Sequence, residues 1–312
     1  MSSLRCGPHQ RPPSRTIPFP FATPDFASRA GAMAHGAHAQ HTKPRGTAMA
    51  KLTKQESRNH QAAMELLDKD VLTDDEKEFV FANYHEGANT INGDAGAFFT
   101  PLDLAWEAAL ELGTAPDNTG RRIIDLCAGI GVLAYTTLLR HRGADVTCVE
   151  INPEYVRIGK KLVPEATWIC MDVTDVEALR KLGRFHSAIS NPPFGRVRTF
   201  RGSEGVRYHG GEAEFKVIDV ASEIADEGVF IIPQQSSGFQ YSGVQCFERR
   251  ESDKYKAFCE QTGLALDIGM GIDTSFCAES WKGVKPVVEL ACVDFRDRDC
   301  TGEQGSLFEA VA

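Results

Sequence analysis

The stretch Ile123-Ile-Asp125-Leu-Cys127-Ala-Gly129-Ile-Gly131-Val-Leu-Ala134 constrains the fold more than any other part of the chain. A short apolar run ends in two glycines one residue apart and passes at once into a second run with helical spacing. Glycine reaches left-handed backbone angles without steric cost, so the pair marks a tight turn from strand to helix. A strand that feeds a helix directly calls for a parallel neighbour, because the crossover carries the chain back to the same edge of a sheet. The rhythm repeats, with strand patterns at 122–127, 145–150, 167–170, 186–190, 228–233, 264–271 and 287–295. Helical patterns fall near 132–141, 153–162, 175–182, 212–226 and 252–262. The chain is therefore expected to be an α/β protein with a seven-stranded, mostly parallel sheet. Only the loop from Ile272 to Pro286 separates the last two strands, so these are expected to pair as an antiparallel terminal hairpin.

Upstream, residues 54–67 have a polar helical pattern, and Thr73-Asp-Asp-Glu76 forms a capping box ahead of Phe79, Val80 and Phe81. Two short helices are expected there, the second ending near Glu86-Gly87. Residues 1–48 read as a disordered leader or as sequence upstream of the true start, since Met49-Ala-Lys-Leu looks like an ordinary beginning. Residues 49–95 are then a helical N-terminal segment, 96–296 the main domain and 297–312 a flexible tail. The first fifty residues hold six basic side chains and one acid, so residues 51–312 carry −14 within a chain of −9. The leader lacks the apolar stretch of a secretory signal. Nine cysteines without C-x-x-C or ligand-like spacing to histidine argue for no metal site and for a reducing, cytoplasmic location. No apolar run reaches the length of a membrane span, and no membrane association is expected.

The glycine turn by itself satisfies the dinucleotide pattern G-x-G-x-x-G/A, with Glu150 closing the next strand at about the ribose distance. A nicotinamide cofactor is one reading. Asp125, however, lies four residues before the first glycine, near where a pyrophosphate would sit against a helix N-terminus. An acid there suits a cationic sulfonium with an amino-acid tail better. Asp172-Val173, after the third strand, offers a carboxylate and an apolar contact for an adenine ring. The expected cofactor is S-adenosyl-L-methionine.

Asn191-Pro192-Pro193-Phe194 stands where the strand His186–Ser190 ends. Proline fixes φ and has no N–H, so the segment presents one side-chain amide and one free carbonyl at a set angle. Two such acceptors grip a planar NH2 group, and an aromatic ring one step later stacks on the flat system that bears it. Exocyclic amines of bases and side-chain amides are the flat amines of this kind. The plainer alternatives are a proline turn capping a strand and a core aromatic.

Five elements in this order resemble those of the adenine amino-methyltransferases of the gamma arrangement, the DNA adenine methylases. They are Phe98-Phe99-Thr100-Pro101, the Asp125 to Gly131 loop, Glu150-Ile151-Asn152, Asp172-Val173 and the NPPF motif Asn191 to Phe194, within about residues 96–235. The resemblance implies a Rossmann-like class I methyltransferase domain and site-specific methylation of adenine in DNA. It implies Asn191, Pro192 and Phe194 as catalytic residues. It implies that Phe99, Thr100, Pro101 and Asp125 hold the methionine tail, with Cys127, Gly129 and Gly131 close to the cofactor. Glu150 would take the ribose hydroxyls, Asp172 the adenine amine, and Ile151 and Val173 the faces of its ring.

Gly195 to His209 carries Arg196, Arg198, Arg201 and Arg207 against one acid, which suits a substrate-binding, phosphate-contacting loop with Phe200 and Tyr208 for stacking. The alternative is a solvated surface loop. Phe276 and Trp281, before the last strand, are expected on the catalytic edge or in the core. Nucleic acid is the expected partner, DNA ahead of RNA. After Pro233 no separate recognition domain of the kind common in DNA methylases is expected. Reading by loops and the helices at 54–86, by a separate recognition subunit, or by the shape of a structured RNA are the expectations. Ribosomal RNA adenine or guanine methylation, glutamine-amide methylation of protein, and a decayed, non-catalytic cofactor binder are the alternatives.

Overall fold

Ile123, Ile124 and Leu126 are all fully buried, as a strand covered by helices on both faces requires. They lie at the centre of a computed structural model that describes residues 52–85, 98–113, 117–197, 205–283 and 285–296. Five strands run parallel: β1 (Arg122–Leu126), β2 (Asp145–Glu150), β3 (Thr167–Cys170), β4 (Phe185–Ser190) and β5 (Ala225–Pro233). A two-stranded ribbon of β6 (Phe239–Gln240) and β7 (Glu248–Arg249) stands apart from them. β8 (Val288–Asp294) pairs antiparallel with β5, giving the order β3-β2-β1-β4-β5-β8.

The helices are α1 (Lys54–Leu67), α2 (Asp74–Asn83), α3 (Leu102–Glu111), α4 (Val132–Arg140), α5 (Pro153–Leu162), α6 (Val176–Arg180), α7 (Ala213–Ile224) and α8 (Asp253–Thr262). The expected capping box forms, Thr73 with Glu76, and a second one that was not expected joins Thr53 with Glu56. Asn152 caps α5 and Pro153 opens it, where a missing N–H costs nothing. One apolar cluster joins α1 to α5 with Ile123, Ile189 and Val229; the other joins α6 to α8 with Ile124, Ala188 and Phe230. Strand alternation sends successive residues of β1 into opposite clusters.

The sheet has six strands rather than the expected seven. Residues 264–271 make only one antiparallel bridge to β8, Asp267 with Cys292, so the terminal hairpin is reduced to a stub and β8 pairs with β5 instead. Gly269 and Gly271 there have φ of +57° and +74°, and the amide of Met270 turns to the Glu111 carboxylate. A chain bent in this way cannot continue a ladder. α3 was not expected from the sequence; it follows Pro101 and brings Leu104, Ala105 and Ala108 against the sheet. The second helix ends at Asn83, with Tyr84 extended after it, short of the expected Glu86-Gly87; residues 1–48 and the tail from 297 lie outside the described residues. Among the described residues no helix is long and apolar enough to cross a membrane, no group of side chains is arranged to hold a metal ion, and the cysteines are free thiols.

Candidate active site

The strand order reverses between β1 and β4, which opens a crevice beyond their carboxyl ends. Leu126 pairs with Ser190 in register, so Cys127 and Asn191 leave the sheet side by side. The Ser190 hydroxyl donates to the Leu126 carbonyl and locks the two exits together. Strand register thus brings together two motifs sixty residues apart.

The glycine turn is held tightly. Cys127 sits at φ +61°, the one non-glycine residue with positive φ among the described residues. Side chains other than glycine's avoid this region, and strain of this kind gathers at functional sites. Burial pushes its thiol well above the usual range, so Cys127 is a neutral wall and no nucleophile. Gly129 and Gly131 have φ of +57° and +96°. A Cβ on Gly131 would lie 2.8 Å from the Trp168 ring, and one on Gly129 would lie 3.2 Å from Phe99.

Glu150, at the end of β2, is buried and accepts from the Gly129 amide (2.8 Å) and the Asn152 amide (2.8 Å). It is no solvated strand end; it shapes the turn, and burial raises its carboxyl. Each of its oxygens retains a second acceptor site. Ile151 beside it is 56% exposed, while Val173 is buried. Asp172 accepts from the Thr174 amide and hydroxyl through Oδ1, and the cap of α6 falls to Asp175 instead.

Asp125 is fully buried under the turn. Its oxygens face the Ala134 backbone in the first turn of α4, yet they find no hydrogen bond of normal geometry among the described residues. Desolvation raises its carboxyl well above the ordinary value. It does not line the small cavity of about 20 Å³ between Phe99, Thr100, Cys127, Gly129, Leu133 and Asn191.

The Asn191 amide is oriented by two acceptors. Nδ2 donates to the Phe98 carbonyl (2.8 Å) and to Thr100 Oγ1 (3.0 Å). The Phe98 carbonyl can only accept, so the nitrogen must face it and Oδ1 must face away. Oδ1 is buried and has no partner among the described residues. Phe98 was not among the site residues drawn from sequence, because a backbone carbonyl leaves no signature. The Phe98 and Phe194 rings stand 6.1 Å apart and tilted, both half-buried, and Pro192 is buried. Pro101 precedes α3 and aims the Phe98 to Thr100 segment at the crevice.

The arginine loop divides. Arg196 is exposed, and its side chain lies over Gly211. Arg198, Arg201 and Phe200 are outside the described residues. Arg207 has intramolecular partners: Nε and Nη2 reach Asp219 Oδ1 (2.9 and 2.7 Å), Nη2 reaches Ser222 (2.6 Å) and Nη1 the Thr262 carbonyl (3.0 Å). A guanidinium so engaged is a bolt between α7 and α8. Arg207→Ala is expected to strip the buried Asp219 of its cationic partner, leaving it only the amides of residues 207 and 208 at Oδ2, and cost roughly 2–3 kcal/mol, which urea unfolding would measure. Tyr208 is also not a stacking residue, since it is 3% exposed, packs on Phe215 and Phe258, and donates to Glu212. Trp281 is buried in the core and Phe276 is 55% exposed.

Residues 89–202 match the family model described as the methyltransferase small domain. No curated protein sequence matches the chain. Solved structures similar to it include a proposed RNA methyltransferase from Pyrococcus horikoshii, 20% identical over 64% of this chain and 88% of that one, TM-score 0.42. Another is the methyltransferase subunit of a type I restriction-modification system from Streptococcus thermophilus, 11% identical over 70% of this chain, TM-score 0.48; the match spans 49% of that subunit. A third is a TehB-like SAM-dependent methyltransferase from Corynebacterium glutamicum, 16% identical over 61% and 86% of the two chains, TM-score 0.37. The acid beneath the turn, the Glu150 carboxylate at the end of β2 and the Asn191 acceptor without a partner among the described residues fit a sulfonium nucleoside with an amino-acid tail. Residues 89–202 match the methyltransferase small domain model within a Rossmann-like α/β fold, and that match gives S-adenosyl-L-methionine as the cofactor.

Proposed function

We propose that this protein methylates the exocyclic amino group of adenine in DNA, with Asn191, Pro192 and Phe194 as its catalytic residues. One observation carries the reading: the Asn191 amide is tied down through Nδ2 and leaves Oδ1 buried and unpartnered beside the glycine turn. A buried acceptor without a donor costs about 1–3 kcal/mol, and such an atom is kept where a ligand supplies the donor.

When bound, the cofactor would supply an electrophilic methyl for the acceptor nitrogen, with a neutral thioether as the leaving group and the nitrogen's proton passing to solvent. The protein's part is placement. Oδ1 of Asn191 and the Pro192 carbonyl accept the two amine hydrogens, which turns the nitrogen lone pair out of the ring. Phe194 stacks on the base. Positioning and fixed dipoles account for the acceleration, and no covalent intermediate on Cys127 is needed. The turn residues Gly129 and Gly131, with Phe99, Thr100 and Pro101, hold the tail side of the cofactor. Glu150, Ile151, Asp172 and Val173 hold the nucleoside. A base within a duplex cannot reach the crevice, so it must be flipped out or single-stranded. Arg196, with Arg198 and Arg201, contacts phosphates, and a separate subunit or the helices at 54–83 contribute sequence recognition.

Burial biases the Asp125 carboxyl beneath the turn toward its neutral form, and a bound cationic ligand would draw it toward the charged one. Because its folded pKa is raised, the protonated carboxyl favours folding at low pH, and that contribution is lost as pH rises through the folded value. Asp125→Asn is therefore expected to keep or raise the melting temperature at neutral pH. It should also weaken cofactor binding about tenfold, near 1.4 kcal/mol. Calorimetry and thermal melts at two pH values check both.

Incubation with tritiated cofactor and separate pools of DNA, RNA and protein, followed by digestion, tests the acceptor. N-methyladenine in the DNA pool is the expected product. Label confined to RNA or to glutamine in protein would replace the acceptor, and cofactor binding without transfer to any pool would indicate a binding protein.

A further inference from the structure

The start of α7 carries a buried carboxylate for which the sequence gives no role. Glu214 is 1% exposed, and its two oxygens serve two different loops. Oε2 accepts from the Gly195 amide at 2.7 Å, and Oε1 accepts from the Ser236 hydroxyl at 2.8 Å. Gly195 directly follows Phe194 as the chain leaves β4. Ser236 ends the short 3-10 turn Gln234–Ser236 that follows β5. One carboxylate thus ties together the exits of two adjacent parallel strands on the side of the sheet where the crevice opens.

Gly195 is fixed a second time, because its carbonyl accepts from the Ala213 amide at 2.7 Å. Between the Pro192 carbonyl and Gly195 lie one proline with locked φ, Pro193, and one free residue, Phe194. Fixing Gly195 therefore removes most of the freedom with which the Phe194 ring and the Pro192 carbonyl could swing. Stability alone does not call for this arrangement. A carboxylate beside Phe215 is desolvated, and an apolar residue of similar size would cost less to bury.

We propose that Glu214 is a positioning residue for methyl transfer: through Gly195 and Ser236 it sets the plane of Phe194 and the aim of the Pro192 carbonyl at the acceptor amine. The proposal rests on the functional reading above and deepens it by adding a residue outside the motif. It differs from a structural role in what it moves. A loosened Gly195 leaves the glycine turn and the cofactor residues where they are, and misplaces only the acceptor.

The test compares Glu214→Ala, Glu214→Gln and Ser236→Ala in the full chain. Measured are kcat on the labelled pool, cofactor affinity by calorimetry, and amide exchange of peptides spanning 190–197. Glu214→Ala should lower kcat at least about tenfold with cofactor affinity within about twofold of wild type. Glu214→Gln should recover kcat to within about threefold, since its oxygen can accept from Gly195 while its NH2 donates to Ser236. Exchange at Gly195 should be faster in Glu214→Ala and near wild type in Glu214→Gln. Ser236→Ala, which keeps the carboxylate, should give a smaller fall in kcat in the same direction.

Three results would overturn the proposal: kcat of Glu214→Ala within about twofold of wild type, equal impairment of Ala and Gln variants, or cofactor affinity falling in step with kcat. If Glu214→Ala does not fold, the Gln and Ser236 variants decide by the same readouts, and an unchanged kcat in Ser236→Ala counts against the proposal. Should wild type label no pool, the functional reading fails separately. Exchange at Gly195 then still decides the anchoring, and unchanged exchange in Glu214→Ala overturns it.

Discussion

Asn191→Ala is expected to lower turnover about 10²–10³-fold while cofactor affinity stays within about twofold of wild type, as loss of one preorganised transition-state contact does. The split follows from where the side chain is anchored. Nδ2 holds the Phe98 carbonyl and Thr100, so alanine frees two acceptors on the segment leading into α3, but the glycine turn keeps its own bonds to Glu150 and Val149. What disappears with the amide is Oδ1, the buried acceptor to which no described residue donates. Single-turnover rates on the labelled pool, set beside calorimetric titration of the cofactor, separate the two effects. Turnover above about a third of wild type would mean that the amide does not grip the acceptor. Asn191→Asp is informative beside it: the carboxylate keeps an acceptor but cannot donate to Phe98, so partial activity with poorer acceptor affinity is expected.

Gly131→Ala should be the most damaging change to the cofactor side of the crevice. The new methyl would lie 2.8 Å from the Trp168 ring and 3.1 Å from Val163, and the residue would have to hold φ of +96°. Overpacking typically costs 1–3 kcal/mol and a left-handed angle about 1–2 kcal/mol more, so a loss of roughly 2–5 kcal/mol is expected. Trp168 cannot easily give way, because its indole N–H donates to the Val163 carbonyl at 3.1 Å and its ring lies against Gly159, where an added Cβ would fall 2.0 Å away. The turn would move instead, weakening cofactor binding along with stability. Urea midpoints and calorimetry on the same variant test this. A Gly131→Ala protein with unchanged midpoint and unchanged affinity would show that the turn is not packed as described.

Much of the fold could be read from local pattern. The strand, glycine turn and helix at 122–140, the capping box at Thr73 and the apolar run through β5 are short-range signals, governed by backbone angles and by apolar spacing. The two motifs of the crevice were equally visible, because the residue types at 125–131 and 191–194 are rare in combination. The last strand pair was less legible. The run 264–268 has strand-like composition, and its termination depends on Glu111, from a helix more than 150 residues earlier, capturing the Met270 amide. Helix α3 was not expected, although Leu104, Ala105, Ala108 and Ala109 fall at helical spacing and are buried.

Sequence by itself determined the parallel α/β rhythm, the glycine turn and the presence of an amide ahead of two prolines, since each is written in consecutive residues. Only the tertiary structure decided which of these touch. The Leu126 to Ser190 register sets Cys127 beside Asn191, and the Phe98 carbonyl orients the amide. Asp219 takes Arg207 out of the loop's free charge, while the core takes Tyr208. The reason is that hydrogen-bond partners and burial are properties of chain segments far apart in sequence. An arginine in a basic run looks the same in the sequence whether a phosphate or a buried aspartate awaits it.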